Sequence, residues 1–133
     1  MEIEARVAIG SATDIVTARQ KGRALAMKLG FNGSDLTLIA TAISEVARNI
    51  VDHAKRGELI LMPIHQGTRL GISVVARDNG PGIPDVSQAM QYGYSTRKGL
   101  GVGLPGAKSL MDEFDVDSQV GKGTTVTMKK WLR

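Results

Sequence analysis

Apolar and polar positions set the first expectations. Ile3, Ala5, Val7 and Ile9 recur every second residue between Glu4, Arg6 and Ala8, which predicts a half-buried strand over 3–9. Helical spacing then takes over at Ile15, Ala18, Gly22, Leu25 and Leu29, with Ser11, Thr13 and Asp14 as capping candidates and Gly30 as a stop. Ser34-Asp35 opens a second helix whose stripe of Leu36, Ile39, Ile43, Val46 and Ile50 must face a core, which leaves the opposite side polar. Two β-rich runs over 58–64 and 70–77, separated by Gln66-Gly67-Thr68, predict a hairpin.

Asn79-Gly80-Pro81-Gly82 permits neither helix nor continuous strand and must turn. A short helical piece over 86–92 leads into a polar loop, Gly93-Tyr94-Ser95-Thr96-Arg97-Lys98-Gly99. A third main helix is predicted over 103–114, and strands over 116–120 and 124–131 close around Gly121-Lys122-Gly123. Five strands and three main helices without strict β-α-β alternation predict an α+β fold. It is a two-layer sandwich in which a mixed five-stranded sheet is covered on one face by the helices. A length of 133 residues suits one domain, 1–133.

Composition narrows the classes. A hydrophobic fraction of 42% with 23% charged residues is ordinary for a water-soluble globular chain, and no apolar run reaches the length of a membrane span. The start Met1-Glu2-Ile3-Glu4 lacks the basic and apolar regions of a signal peptide, so a cytoplasmic location is expected. There is no cysteine, which excludes disulfides, thiolate metal sites and a cysteine nucleophile. The net charge of +4 is scattered, and one Trp, two Tyr and two Phe offer little stacking surface, so neither nucleic acid nor membrane is an expected partner.

Three segments carry candidate chemistry. Glu45 and Asn49 are one helical turn apart and project from the side opposite the apolar stripe, with Arg48 and Asp52 flanking them. A carboxylate there suits deprotonation of a hydroxyl, and an amide oxygen suits Mg²⁺ carrying phosphates; taken alone, the pair is better explained by a solvated helix face. Asp78 ends a strand at the rim of the sheet, where its carboxylate can accept a donor such as the exocyclic amine of adenine, and Gly80 and Gly82 let backbone approach a flat base. An Asp-Asn-Gly turn without function remains open for these residues. Gly99, Gly101 and Gly103 run into a helix start, where N–H groups favour phosphate.

Other readings fail on spacing. Gly101, Gly103 and Gly106 match GxGxxG, but a polar loop stands where a dinucleotide site needs a strand. Gly106-Ala107-Lys108-Ser109 does not meet the Walker A spacing, and the His-Arg-Asp and Asp-Phe-Gly elements of ordinary protein kinases are absent. His53 and His65 lack the acidic partners of a metal cage, and the six methionines are scattered.

Together, Glu45-x-x-x-Asn49, Asp78-x-Gly80-x-Gly82, Gly99-x-Gly101-x-Gly103 and Gly123-Thr124 resemble, in order, the four boxes of the GHKL superfamily of Bergerat-fold ATPases. As a short chain without a phosphoacceptor helix pair, the sequence is most similar to the small serine/threonine kinases of bacterial stressosome switching. The resemblance implies Mg-ATP, with Glu45 as general base, Asn49 as Mg²⁺ ligand, and Asp78 and Thr124 reading adenine. It further implies that Gly80 and Gly82 shape the base pocket and that Gly99, Gly101 and Gly103 wrap the phosphates. Arg97 and Lys98 fall in the lid, where a cation can neutralise charge developing on the γ-phosphoryl group. The implied partners are a STAS-domain stressosome protein, as substrate and scaffold, and a PP2C-type phosphatase activated on release. The competing reading is a nucleotide-dependent anti-sigma factor in which transfer is secondary.

Overall fold

A computed structural model describes residues 5–90 and 103–133. In chain order its elements are β1 (Ala5–Ile9), α1 (Ala12–Leu29), α2 (Ser34–His53), β2 (Gly57–Gln66), β3 (Arg69–Asp78), α3 (Val86–Ala89), α4 (Gly103–Leu110), β4 (Glu113–Gln119) and β5 (Gly123–Trp131).

The ends of α1 follow local chemistry. Ser11 takes the N-cap position without a side-chain cap, and Asp14 reaches back instead to accept the Gly10 N–H at 2.9 Å. Gly30, at φ 111°, ends the helix, with its own N–H donating to Met27 O at 3.1 Å and that of Phe31 to Ala26 O at 3.0 Å. Residues 31–33 then reverse the chain into α2, so the two helices lie antiparallel and packed together.

The strands form one sheet in the order β1-β2-β3-β5-β4, and every neighbouring pair is antiparallel. The mixed sheet expected from the sequence is therefore corrected to an antiparallel one. Between β1 and β2 the chain crosses the domain twice, along α1 and back along α2, so β2 re-enters from the end where β1 left, Ile9 facing Gly57. The third main helix is also shorter than expected. The Asp112 N–H donates to Lys129 O at 2.9 Å and the Trp131 N–H to Asp112 Oδ2 at 2.8 Å, which pulls the chain into β4 from Glu113 onward.

One sheet face carries Val7, Leu59, Leu61, Ile72, Val74, Ala76, Val126 and Met128, and these join the apolar stripe of α2 in the core. All five stripe residues are buried. A side chain at Gly22 of α1 would sit 2.1 Å from Ile43 Cδ1, so the two helices meet closely at that point. The outer face holds an Arg6–Glu58–Arg77 charge row and Trp131, whose ring lies 4.1 Å from the Arg69 guanidinium. Among the described residues no helix is long and apolar enough to cross a membrane.

Ile43 is 0% exposed where α1, α2 and the sheet meet. Ile43→Ala is expected to lower unfolding free energy by about 2–5 kcal/mol, read from urea denaturation; a loss under about 1 kcal/mol would contradict this packing.

Candidate functional site

The site is built along the last turns of α2. Glu45 is only 5% exposed, because α4 lies over the side of α2 that the sequence left to solvent. The Gly103 N–H, at the first residue of α4, donates to Glu45 Oε1 at 3.0 Å. Arg48 stands 3.7 Å from Glu45 Oε2 on the same helix. A carboxylate removed from water to this degree needs such partners to offset its lost hydration. One turn further on, Asn49 is half-buried, and its side-chain amide makes no hydrogen bond among the described residues.

Asp78 meets the same helix from the sheet. It continues the alternation of Ile72, Val74 and Ala76, so it sits on the helix-facing side. In register beside it stand Ile9, Gly57, Thr124 and Ser118, which form the last row that all five strands share at this end. Asp78 Oδ1 accepts the Gly80 N–H at 2.8 Å, closing an Asx turn, while Oδ2 makes no hydrogen bond among the described residues. A Cβ added at Gly57 would lie 2.9 Å from Ile50 Cγ2 and 3.1 Å from Asp78 Cβ. One at Gly80 would lie 2.5 Å from Ala54 Cβ. The Asp78 turn therefore packs directly on the end of α2, at Ile50 and Ala54.

The glycines of this turn serve packing within the protein as well as any ligand. A side chain on Gly82 would meet Gln119 O at 2.3 Å, and the Gly121 N–H donates to Pro81 O at 2.8 Å, so the turn is docked on the β4–β5 hairpin.

Ser118, which the sequence did not single out, and Gly123, which it named only within a turn and the Gly123-Thr124 box, complete the arrangement. Ser118 Oγ accepts the Ile83 N–H at 2.7 Å and lies 2.8 Å from Thr124 Oγ1. Gly123, at φ 110°, brings β5 so close to the end of β3 that a Cβ would sit 2.1 Å from Asp78 O. The alternation of 114, 116 and 118 placed Ser118 on the Thr124 side only once the start of β4 was known. For Gly123 the signal was its place directly before Thr124.

The structure thus brings Glu45, Asn49, Asp78, Gly80, Gly82, Gly103 and Thr124 to one end of the fold. Arg97, Lys98, Gly99 and Gly101 lie outside the described residues. A groove of about 750 Å³ also opens at this end. Asp78 and Thr124 line it, but so do Glu58, Arg77 and Thr125 of the outer face, and Glu45 and Asn49 do not. It adjoins the Asp78 row from behind.

Comparison with known proteins gives this geometry a family. Residues 10–130 match the histidine kinase-like ATPase domain. The serine/threonine-protein kinase RsbT of Bacillus subtilis (strain 168) is 47% identical over 133 residues, covering 100% of both chains. An anti-sigma F factor of Thermoanaerobacter sp. (strain X514) is 34% identical over 121 residues, covering 86% of this chain and 83% of its own. Among solved structures, the mycobacterial sensor histidine kinase MprB superposes with a TM-score of 0.57 at 16% identity over 96% of each chain. The catalytic domain of histidine kinase ThkA gives 0.53 at 16% identity over 98% of this chain and 95% of its own. At that identity the two structures speak for the fold, and the sequence relatives speak for the family. The chain belongs to the histidine kinase-like (GHKL) ATPase family and, within it, to the ATP-dependent serine/threonine protein kinases of the RsbT group.

Proposed function

We propose that this protein transfers the γ-phosphoryl group of ATP to a serine or threonine of a STAS-domain stressosome protein in the cytoplasm. On release from that scaffold it activates a PP2C-type phosphatase, as one component of a bacterial stress-signalling partner switch. The observation that carries this reading is the buried Glu45 carboxylate, held by the Gly103 N–H one helical turn from a half-buried Asn49 amide.

In this reading Glu45 accepts the proton of the acceptor hydroxyl as its oxygen forms a bond to the γ-phosphorus. The bond from that phosphorus to the bridging oxygen breaks, and ADP leaves. Glu45 suits the task because burial and the Gly103 contact fix its orientation before any substrate arrives. Asp78 offers Oδ2 to a donor such as the adenine amine, since Oδ1 is engaged by Gly80. Thr124 is its register partner, and Ser118 lies against the Thr124 hydroxyl. Gly103, with Gly99 and Gly101 before it, would meet the phosphates at the start of α4. Arg97 and Lys98 follow as lid cations.

The residues also fit magnesium. Among the described residues no three His, Cys, Asp or Glu side chains gather to hold a metal. A Mg²⁺ held mainly by nucleotide oxygens and water needs no such cage, and the Asn49 amide is a suitable protein ligand. When bound, the ion neutralises phosphate charge.

The anti-sigma F relatives support a second reading, in which nucleotide shapes a partner-binding surface and transfer is secondary. Recovery of a sigma factor with the tagged chain from cell extract would favour it.

Single-turnover assay with γ-labelled ATP and a STAS-domain protein should give labelled serine or threonine, and absence of label would sink the kinase reading. Glu45→Gln is expected to slow transfer roughly 100-fold while ATP still binds; an unchanged rate removes Glu45 as the base. Asp78→Asn should weaken ATP binding by about 1–3 kcal/mol in calorimetry, the effect of mispairing an acceptor that the base would cover, and unaltered affinity would end its adenine-reading role.

A further inference from the structure

Helix α4 has little reason to form by itself. It is eight residues long, Gly103-Leu104-Pro105-Gly106-Ala107-Lys108-Ser109-Leu110, with two glycines and a proline. Helices this short are marginal in water even with good formers, and glycine is among the poorest. Packing against α2 supplies part of the missing stability through Leu104, Pro105, Gly106 and Ala107, all buried. Each end is also met by a charged side chain. At the N-terminus the Gly103 N–H meets the Glu45 carboxylate. At the C-terminus the Lys130 ammonium donates to Leu110 O, the carbonyl of the last helical residue, at 3.0 Å. Both charges match the helix macrodipole, and both satisfy backbone groups that a helix leaves unpaired at its ends.

Lys130 is unusual in being there at all. It stands on the helix-facing side of β5, continues the Val126 and Met128 alternation, and is 7% exposed. Among the described residues its ammonium makes the single hydrogen bond to Leu110 O. A buried lysine with one acceptor is a poor choice for packing alone, where methionine would fill similar space without desolvating a charge. The same junction is clamped to β5 by Asp112, through its N–H to Lys129 O and its carboxylate to the Trp131 N–H. The far end of α4 is thus fixed at Lys130, and its near end touches the proposed base.

We propose that Lys130 is a positioning residue for phosphoryl transfer: by closing the C-terminal end of α4 it fixes where the Gly103 N–H stands, and so holds the Glu45 carboxylate in its working orientation. The functional part of this inference rests on the kinase reading given above. The mechanical part, coupling between the two ends of α4, does not.

The test uses the full-length chain with Lys130→Met. Two quantities are read: kcat for transfer to the STAS-domain protein, with KM for ATP alongside, and the position of the Gly103 amide in the ¹H–¹⁵N spectrum. kcat should fall roughly tenfold, as small misplacements of catalytic groups do, with KM for ATP changed by less than about twofold. The Gly103 resonance should move in the same direction as it does in Glu45→Gln. A fall in kcat with the Gly103 amide unmoved, or a moved amide with kcat intact, overturns the proposal, as does no change in either. If Lys130→Met does not fold, Lys130→Gln, a neutral donor one bond shorter, is judged by the same two measurements. Wild-type protein that transfers no label would fault the kinase reading instead, and the Gly103 amide alone would then decide whether Lys130 holds α4.

Discussion

Burial of the Glu45 carboxylate on α2 requires donors, and the one that comes from another element is the Gly103 N–H at the start of α4. A charged group this far out of water is tolerated only when it is hydrogen-bonded, so separating α2 from α4 would take away one of the partners of Glu45. The contact joins the helix that carries Glu45 and Asn49 to the start of α4. It also fixes a side chain whose neighbours on both sides, Ser44 and Val46, are themselves buried. The Asp78 row packs further along the same helix, against Ile50 and Ala54.

The antiparallel sheet supplies the second half of the geometry. Because every strand pair runs antiparallel, the end of β1, the start of β2, the end of β3 and the start of β5 all fall at the same end as the last turns of α2. The row Ile9, Gly57, Asp78, Thr124 and Ser118 forms there without any long loop having to carry it. Close approaches make the row tight: Gly57 against Ile50 and Asp78, Gly80 against Ala54, and Gly123 against the Asp78 carbonyl. A carboxylate held on a rigid strand end, with its turn docked on a hairpin, is oriented before it meets a ligand, and that limits the entropy lost on binding.

Much of this was legible in one sequence. The stripe of α2 and the alternation in β1 and β5 announce their buried faces, since side-chain period follows directly from backbone geometry. The hairpin at Gln66-Gly67-Thr68 and the stop at Gly30 are local backbone events, with Gly67 at φ 62° and Gly30 at φ 111°. The spaced boxes that begin at Glu45 and Asp78 pointed to the family because the first sets two polar groups one helical turn apart and the second follows an acidic group with the glycines its turn needs. Two boundaries were misplaced, the end of α4 and the start of β4, because long-range pairing of Asp112 with Lys129 and Trp131 decides them.

The sequence by itself determined the elements, their buried stripes and the family, because periodicity and turn chemistry act between residues close in the chain. Tertiary structure alone decided the antiparallel sheet, the burial of Glu45, the closure of α4 by Lys130 and the roles of Ser118 and Gly123. Each of these depends on a partner tens of residues away. No local pattern of polarity can say whether the polar side of a helix meets water or the end of another helix.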